Sequence, residues 1–460
     1  MRVSPFAPIP YPSRTPAASA PPTLTLTLPG SHTVPPTPSA LLDDALLGVC
    51  AVYLLTVAVY LTCQIVFAER ARRHYDTADD LDHRPSVDVV VPCFNEDPAV
   101  LDACLASIAA QDYAGDVQVH VVDDGSPNRA ALDPVYARYT ALPGFRLIAF
   151  PANRGKRQAQ AAAISGSRAD VVITVDSDTM LDPDGIRHMI AGFRDPLVGA
   201  AMGEMLAANA SRNLLTRLID LRYWYACNQE RAAQSHFSAV LCCSGPFSAY
   251  RRSILEKVLD DYLHHTFRGR PSNHGEDRHL TNLMLRSGMR TVYVPRARSR
   301  TVVPDRMRAF LRQQLRWSRS VYRDTLWMAR RLPGLGGYVL LDVFAQIFGP
   351  ALLGTALALA AVRAATVGTA GWPWFAAGAL TVALAYSAYG VWARRDLRFL
   401  GFALYGLLHC ALLIPVRVQA LLTLSDDRWG QRGAAQAPPV AVGPDRVGGA
   451  AGGSGGPGGR

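Results

Sequence analysis

Charge is scarce in this chain, and nothing in its cysteine spacing supports a disulfide framework. Charged residues make up 18% against 49% hydrophobic, a balance low for a soluble enzyme and expected of a chain partly solvated by lipid. None of the eight Cys stands in a Cys-x-x-Cys pair, and Cys50, Cys63 and Cys410 lie inside apolar runs. A disulfide scaffold and a zinc ribbon are thereby disfavoured, and the thiols are expected to stay reduced. No internal repeat is found. What is present is 460 residues with a formal charge of +10, from 47 Lys+Arg against 37 Asp+Glu. That leaves room for more than one domain and is too apolar for disorder throughout.

An apolar run without a charge covers 45–68, 24 positions, and a helix needs about 20 residues to cross a bilayer core. A cleaved signal peptide is the competing reading, but the run starts late, is long, and follows 40 residues holding 11 Pro. Further runs at about 338–362, 371–393 and 399–424, the last interrupted by His409 and Arg417, bring the expected spans to four, one N-terminal and three C-terminal. Arg70, Arg72 and Arg73 follow the first span, whereas residues 1–40 hold only Arg2 and Arg14. The middle of the chain is therefore expected in the cytoplasm, with Arg330, Arg331, Arg394, Arg395 and Arg398 on the same side and the C-terminus outside. The Pro-rich start, 1–40, and the Gly-rich end, 429–460, read as disordered.

Between the membrane runs, VDVVV (87–91), VQVHVV (117–122), FRLIAF (145–150) and DVVITV (170–175) alternate with helical stretches. Continuous apolar strands of this kind imply a mainly parallel sheet covered on both faces, with ligands beyond the strand C-termini. Polar clusters stand at three of those ends: Pro92 to Glu96, Asp123 to Ser126, and Asp176 to Asp178.

Asp176 and Asp178 are two apart on an extended segment, so their carboxylates face one side and can share a hard cation, Mg²⁺ or Mn²⁺. Capping of a helix near 182 is the plainer alternative. Asp123-Asp124-Gly125-Ser126 fits a simple strand-to-helix turn as well as a site. Residues 153–157, NRGKR, put cations and a glycine at another such junction, suited to a diphosphate or merely to a solvated helix start. Ser244-Gly245-Pro246 and Gly275-Glu276-Asp277-Arg278 follow. A carboxylate opening a helix is a dipole partner or a general base. Residues 305–331 interleave Met307, Phe310, Leu311, Leu315, Val321, Tyr322 and Leu326 with eight Arg, the pattern of an interfacial helix. Gln313, Arg316 and Trp317, at i, i+3 and i+4, share one helix face, which a membrane-surface anchor would also explain.

Taken in order, V-P-C-F-N-E, D-D-G-S, G-K-R, D-S-D, S-G-P, G-E-D-R and Q-Q-L-R-W resemble the processive family 2 inverting glycosyltransferases. The stretch from GRPSNHGEDRHLT to RQQLRWSRSVYRDT is similar to hyaluronan synthases and nodulation-type chitooligosaccharide synthases, with GEDRHLT leaning toward the latter. The resemblance covers roughly 45–425. It implies an α/β, GT-A (Rossmann-like) catalytic domain over 85–300, an interfacial helix at 305–331 and membrane helices around them. It further implies a UDP-sugar donor held by Pro92, Asn95, Glu96, Asp123, Asp124 and Asp176. Lys156 would meet the diphosphate, and Mg²⁺ or Mn²⁺ would rest on Asp176 and Asp178. Asp277 would be the catalytic base, and Glu276, Gln313, Arg316 and Trp317 would serve the leaving nucleotide and the acceptor sugar. Cys93 departs from the small or hydroxyl residue usual at its place, and the tail beyond Asp426 matches nothing.

The expectation is thus a multi-pass plasma-membrane enzyme with a cytoplasmic catalytic domain that adds N-acetylglucosamine from UDP-GlcNAc to a growing β-linked glycan. Hyaluronan synthesis is the alternative within the class. A transporter would need more mid-span ionisable groups than Asp342, His409 and Arg417, and a non-catalytic sensor would not need Asp277, Arg316 and Trp317 together. The Arg-rich helix beside the spans favours anionic lipid over nucleic acid as a partner. A second copy of the chain, forming a homo-oligomer, is a further candidate partner.

Overall fold

The computed structural model describes residues 37–76, 83–272, 275–369 and 372–426. The start up to residue 36 and the end beyond 426, both expected to be disordered, lie outside the described residues. The four runs read from sequence form β1 (Val87–Cys93), β2 (Val117–Asp123), β3 (Phe145–Ala149) and β4 (Val171–Val175). They pair in parallel, with Val87 opposite both Val117 and Val171. β1 and β4 are buried along their whole length and β2 over most of its length, which is why those runs are largely apolar rather than alternating, whereas β3, at the sheet edge, is only partly buried. Val90, Val122 and Val172 join one core with α4 (Lys156–Gly166), α8 (Arg252–Leu263) and α9 (Glu276–Arg286). Val89, Val91 and Ile173 join the other, with α2 (Pro98–Ala109), α3 (Arg129–Thr140) and α5 (Gly185–Ala191). Local chemistry starts α2: the Asp97 carboxylate accepts from the amides of Ala99 at 2.8 Å and Val100 at 3.3 Å, and Pro98 fills the first turn.

Four more strands complete an eight-stranded sheet: β5 (Thr179–Leu181), β6 (Val198–Ala207), β7 (Phe247–Arg251) and β10 (Arg290–Thr301), in the order β3-β2-β1-β4-β7-β6-β10-β5. β7 runs antiparallel to both β4 and β6, and β5 antiparallel to β10. The sheet is therefore mixed rather than mainly parallel. The chain reaches β7 from α6 (Leu214–Tyr225), a π turn (Ala226–Arg231) and α7 (Ala232–His236), and re-enters from the opposite end. β10 bulges between Val294, opposite Gly203, and Arg298, opposite Glu204. Glycine is needed at 203, because a Cβ there would lie 2.1 Å from the Ala297 carbonyl oxygen. A short hairpin, β8 (Thr266–Phe267) and β9 (Arg270–Pro271), precedes α9.

The expected interfacial helix is α10 (Met307–Met328). Among the described residues, four helices are long and apolar enough to cross a membrane, at Pro38–Arg73, Gly337–Thr366, Ala376–Arg394 and Leu397–Leu422. The first belongs to α1 (Pro38–Asp76), which begins inside the stretch expected to be disordered. Its outer half exposes Leu47 and Leu55, while Gln64, Ala68 and Ala71 of its inner half are buried against the catalytic domain. The second and third are α11 (Gly337–Thr366) and part of α12 (Trp372–Arg394). The last is composite: a 3-10 turn (Leu397–Gly401), α13 (Phe402–Leu408), a π turn (His409–Leu413) and α14 (Ile414–Leu422).

Gly203→Ala should destabilise the protein by about 1–3 kcal/mol through overpacking at the β6–β10 bulge, read as a lower thermal midpoint in detergent.

Candidate active site

The loops at the C-terminal ends of the parallel strands open onto one cavity of about 910 Å³. Pro92 from β1, Asp124 after β2, Lys156 at the start of α4 and Asp176 and Asp178 after β4 line one side. Gly245, Glu276 and Asp277 line another, and Gln313, Arg316 and Trp317 of α10 close it.

Asn95, Glu96 and Asp123 are not part of that wall. Asp123 ends β2 fully buried, its carboxylate accepting from the Tyr136 hydroxyl at 2.7 Å and the Ser126 amide at 2.8 Å. Asn95 adopts a φ of 51° and donates its amide to Ser126 Oγ at 3.0 Å. Glu96 Oε2 accepts from the Ser177 hydroxyl at 2.7 Å. These three tie the β1, β2 and β4 loops together behind the wall. Asp124 does face the cavity, and its carboxylate accepts from the amides of Arg154 at 2.6 Å and Gly155 at 2.9 Å. Burial pushes its pKa up against those bonds.

Lys156, one of two lysines in the chain, is the electrostatic centre. Its Nζ lies 2.6 Å from Asp176 Oδ1 and 2.9 Å from Glu276 Oε1. Burial alone would lower its pKa, but Asp176 and Glu276 outweigh it and hold the ammonium charged well above the ordinary range. Burial likewise pushes Glu276 up, and Lys156 pulls it down further, for a net lowering. Asp277 goes the other way, raised by burial and by the Glu276 charge beside it. Its Oδ2 accepts from the Gly245 amide at 3.2 Å and its Oδ1 from the Arg278 amide at 2.8 Å. Adjacent carboxylates pushed apart in pKa are what acid–base chemistry exploits.

The capping alternative for Asp176 and Asp178 falls, since β5 follows them and α5 starts only at Gly185. Both offer oxygen donors to the cavity, as Mg²⁺ or Mn²⁺ requires. Gly245 keeps the place clear, since a Cβ there would lie 3.0 Å from Asp176 Oδ2 and 2.9 Å from Lys156 Nζ. The residues fit a divalent cation. On α10, Trp317 is 40% exposed, and Gln313 Oε1 is buried with no hydrogen-bond partner among the described residues. The same helix packs on the turn before Asp277: Gly275 has a φ of +73°, and a Cβ there would lie 1.7 Å from Ser320 Oγ.

Sequence reasoning missed the far wall, where Arg222, Glu230, Gln346, Tyr405 and Arg417 line the cavity. Arg222 and Glu230 pair at 2.9 Å, and Arg417 Nη1 donates to the Gln346 carbonyl at 2.9 Å. The signal was Arg417 itself, a charge inside an apolar run that had to find polar surroundings.

Residues 84–320 match the family described as Glycosyltransferase like family 2. The chain is 52% identical over 358 residues to an N-acetylglucosaminyltransferase of Sinorhizobium fredii, covering 78% of this chain and 86% of that protein. It is 46% identical over 408 residues to an N-acetylglucosaminyltransferase of Rhizobium meliloti, covering 88% and 95%. A solved mannosyltransferase from Pyrobaculum calidifontis, in complex with GDP-Man and Mn²⁺, superimposes with a TM-score of 0.57 at 22% identity, covering 79% of this chain and 98% of that one. The mixed sheet and its cleft have the GT-A fold. Within that class the chain belongs to glycosyltransferase family 2 and is a hexosyltransferase.

Gly275→Ala should lower turnover about tenfold or more by displacing the Glu276–Asp277 turn. Adding Ser320→Gly should recover part of it, because the clash goes while the positive φ remains. Sugar-nucleotide turnover by the two variants checks both.

Proposed function

We propose that this protein takes N-acetylglucosamine from UDP-GlcNAc and, with inversion, lengthens a β-linked chitin-type oligosaccharide at the cytoplasmic face of the plasma membrane, adding several sugars per encounter. The observation that carries the reading is Asp277: a carboxylate of raised pKa, held by the Gly245 amide, in the cavity that Asp176, Asp178, Arg316 and Trp317 also line. The relatives' name, N-acetylglucosaminyltransferase, supports the sugar. Basic flanks support the orientation, since Arg72 Nη2 reaches the Tyr389 hydroxyl at 2.6 Å and so brings the Arg70–Arg73 and Arg394–Arg398 segments to one side.

In this reading Asp124 and Pro92 hold the uridine, while Asn95, Glu96 and Asp123 shape the loops beneath it. A divalent cation on Asp176 and Asp178 supplies positive charge against the diphosphate. The acceptor hydroxyl attacks the anomeric carbon as its proton passes to the Asp277 carboxylate. The bond from that carbon to the UDP oxygen breaks, and the charge left on the diphosphate is met by Lys156 and Arg316. A single displacement inverts the anomeric centre. Glu276 keeps Lys156 charged and in place, the buried Gln313 amide oxygen accepts from a bound sugar or nucleotide, and the Trp317 face stacks on the apolar face of a pyranose.

Purified protein given UDP-GlcNAc with Mg²⁺ or Mn²⁺ should release UDP and form chitinase-sensitive product. Asp277→Asn should cost at least about a hundredfold. Product formed only when UDP-glucuronate is also present would mean hyaluronan synthesis instead, and full activity of Asp277→Asn would remove the base assignment.

The pH dependence follows from the raised pKa. Activity needs the ionised carboxylate, so it is present at neutral pH and lost as pH falls through a value above the ordinary aspartate value of about 3.9. Glu276→Gln removes the neighbouring negative charge and should move the acid limb of kcat/KM to lower pH, an outcome a pH–rate profile reads directly.

A further inference from the structure

The fourth apolar segment, Leu397–Leu422, has the 26 residues and the hydropathy of a span, and alternation of sides would then put the C-terminus outside. Its neighbours say otherwise. At its start, Phe399 packs edge-on against Trp224 with centroids 4.8 Å apart, and the Phe402 ring lies 4.1 Å from that of Tyr225. Trp224 and Tyr225 end α6, a helix fastened to the sheet through Asp220, whose carboxylate accepts from the Ala207 amide at 2.9 Å.

At the other end, the residues after the segment are held by α10. Arg319 Nη2 donates to Thr423 Oγ1 at 2.8 Å and lies 3.2 Å from Asp426 Oδ2. Arg323 donates to the Leu424 carbonyl at 2.7 Å and to the Asp426 carbonyl at 2.9 Å, and it also reaches Ser272 Oγ at 3.4 Å, just before the Glu276–Asp277 turn. Arg319 and Arg323 are themselves buried. Two guanidinium forks on a short stretch of chain form a built contact rather than a chance one.

Depth gives the same answer. Tyr60 and Asp342 meet at 2.6 Å near the catalytic domain, and Arg363 pairs with Asp43 at the other end of α1 and α11. The 21 residues from Asp342 to Arg363 rise about 30 Å, one hydrocarbon thickness. The segment meets α11 at Gln346, through Arg417, and at Gly354, where a Cβ would lie 3.2 Å from Ile414 Cγ2. Gly354 is still about 14 Å short of Arg363 along the helix, and from Ile414 the chain returns to α10. The π turn at His409–Leu413 and Pro415 just after it interrupt regular helix where the path bends.

We infer that Leu397–Leu422 does not cross the membrane but lies beneath the catalytic domain with both ends on that domain's side, so that the described residues make three crossings and Thr423–Asp426 lie beside the α10 helix that closes the active site. One face of the segment offers Tyr405 and Arg417 to the cavity, and the other exposes Leu404, Leu407, Val418 and Leu421 to lipid. The segment is thus the partition between the reaction cavity and the bilayer. The inference rests on the fold and not on which sugar is transferred.

The test uses the full chain in intact cells and a membrane-impermeant maleimide, with the unsubstituted protein as the background for its native thiols. Thr369→Cys, in the α11–α12 connection, and Ser425→Cys, beside Asp426, both alter exposed positions. They should label on opposite sides, Thr369→Cys in intact cells and Ser425→Cys only after permeabilisation. Labelling of both under the same condition overturns the inference. Should either variant fail to accumulate, fusions at Arg460 decide: fluorescence of a green fluorescent protein supports it, and activity of an alkaline phosphatase overturns it. Neither readout requires turnover, so loss of the proposed sugar specificity would leave this result standing.

Discussion

Lys156 is shared between two carboxylates that come from distant parts of the chain, and the arrangement of the site depends on that sharing. Asp176 follows β4 and Glu276 opens α9, 100 positions later in sequence. One ammonium at 2.6 and 2.9 Å from the two oxygens draws the parallel half of the sheet and the α9–α10 layer to a common centre. At an effective dielectric near 20 each contact has a gross attraction of roughly 6 kcal/mol, much of it offset by desolvation. Its main consequence is therefore placement. With Lys156 on Glu276, the adjacent Asp277 carboxylate is left to the Gly245 amide and stays apart from the pair, in the cavity.

The sequence made much of this legible, for identifiable reasons. β1, β2 and β4 are largely buried on both faces, so their apolar runs could hardly be read otherwise. α10 was legible because Gln313, Arg316 and Trp317 follow helical spacing on a strongly amphipathic stretch. β6 and β10 were not: β6 is built of Ala, Gly and Met, and β10 alternates Arg with small residues around a bulge. These segments are strands because of what packs on them. Asp123 and Asp124 show a finer limit. Neighbours in a motif point to opposite sides once a strand ends between them, so one enters the core with Tyr136 and the other reaches the cavity.

The apolar helices help to build the cavity wall as well as being long enough to cross a membrane. α10 carries Gln313, Arg316 and Trp317 on one stretch, packs on the Gly275 turn through Ser320, and holds Thr423–Asp426 through Arg319 and Arg323. Arg417, which in sequence only weakened an apolar run, becomes part of a polar wall where the cavity meets the apolar helices. A charge that looks out of place in a hydrophobic run was here the best sequence signal for where the cavity extends.

The most direct measurement is a structure of the detergent-purified protein with UDP and Mn²⁺. The account predicts the metal between Asp176 and Asp178, the diphosphate against Lys156 with its Nζ released from Asp176, and Asp277 still held by the Gly245 amide. A diphosphate bound elsewhere, with Lys156 still on Asp176 and no metal at the two aspartates, would contradict it.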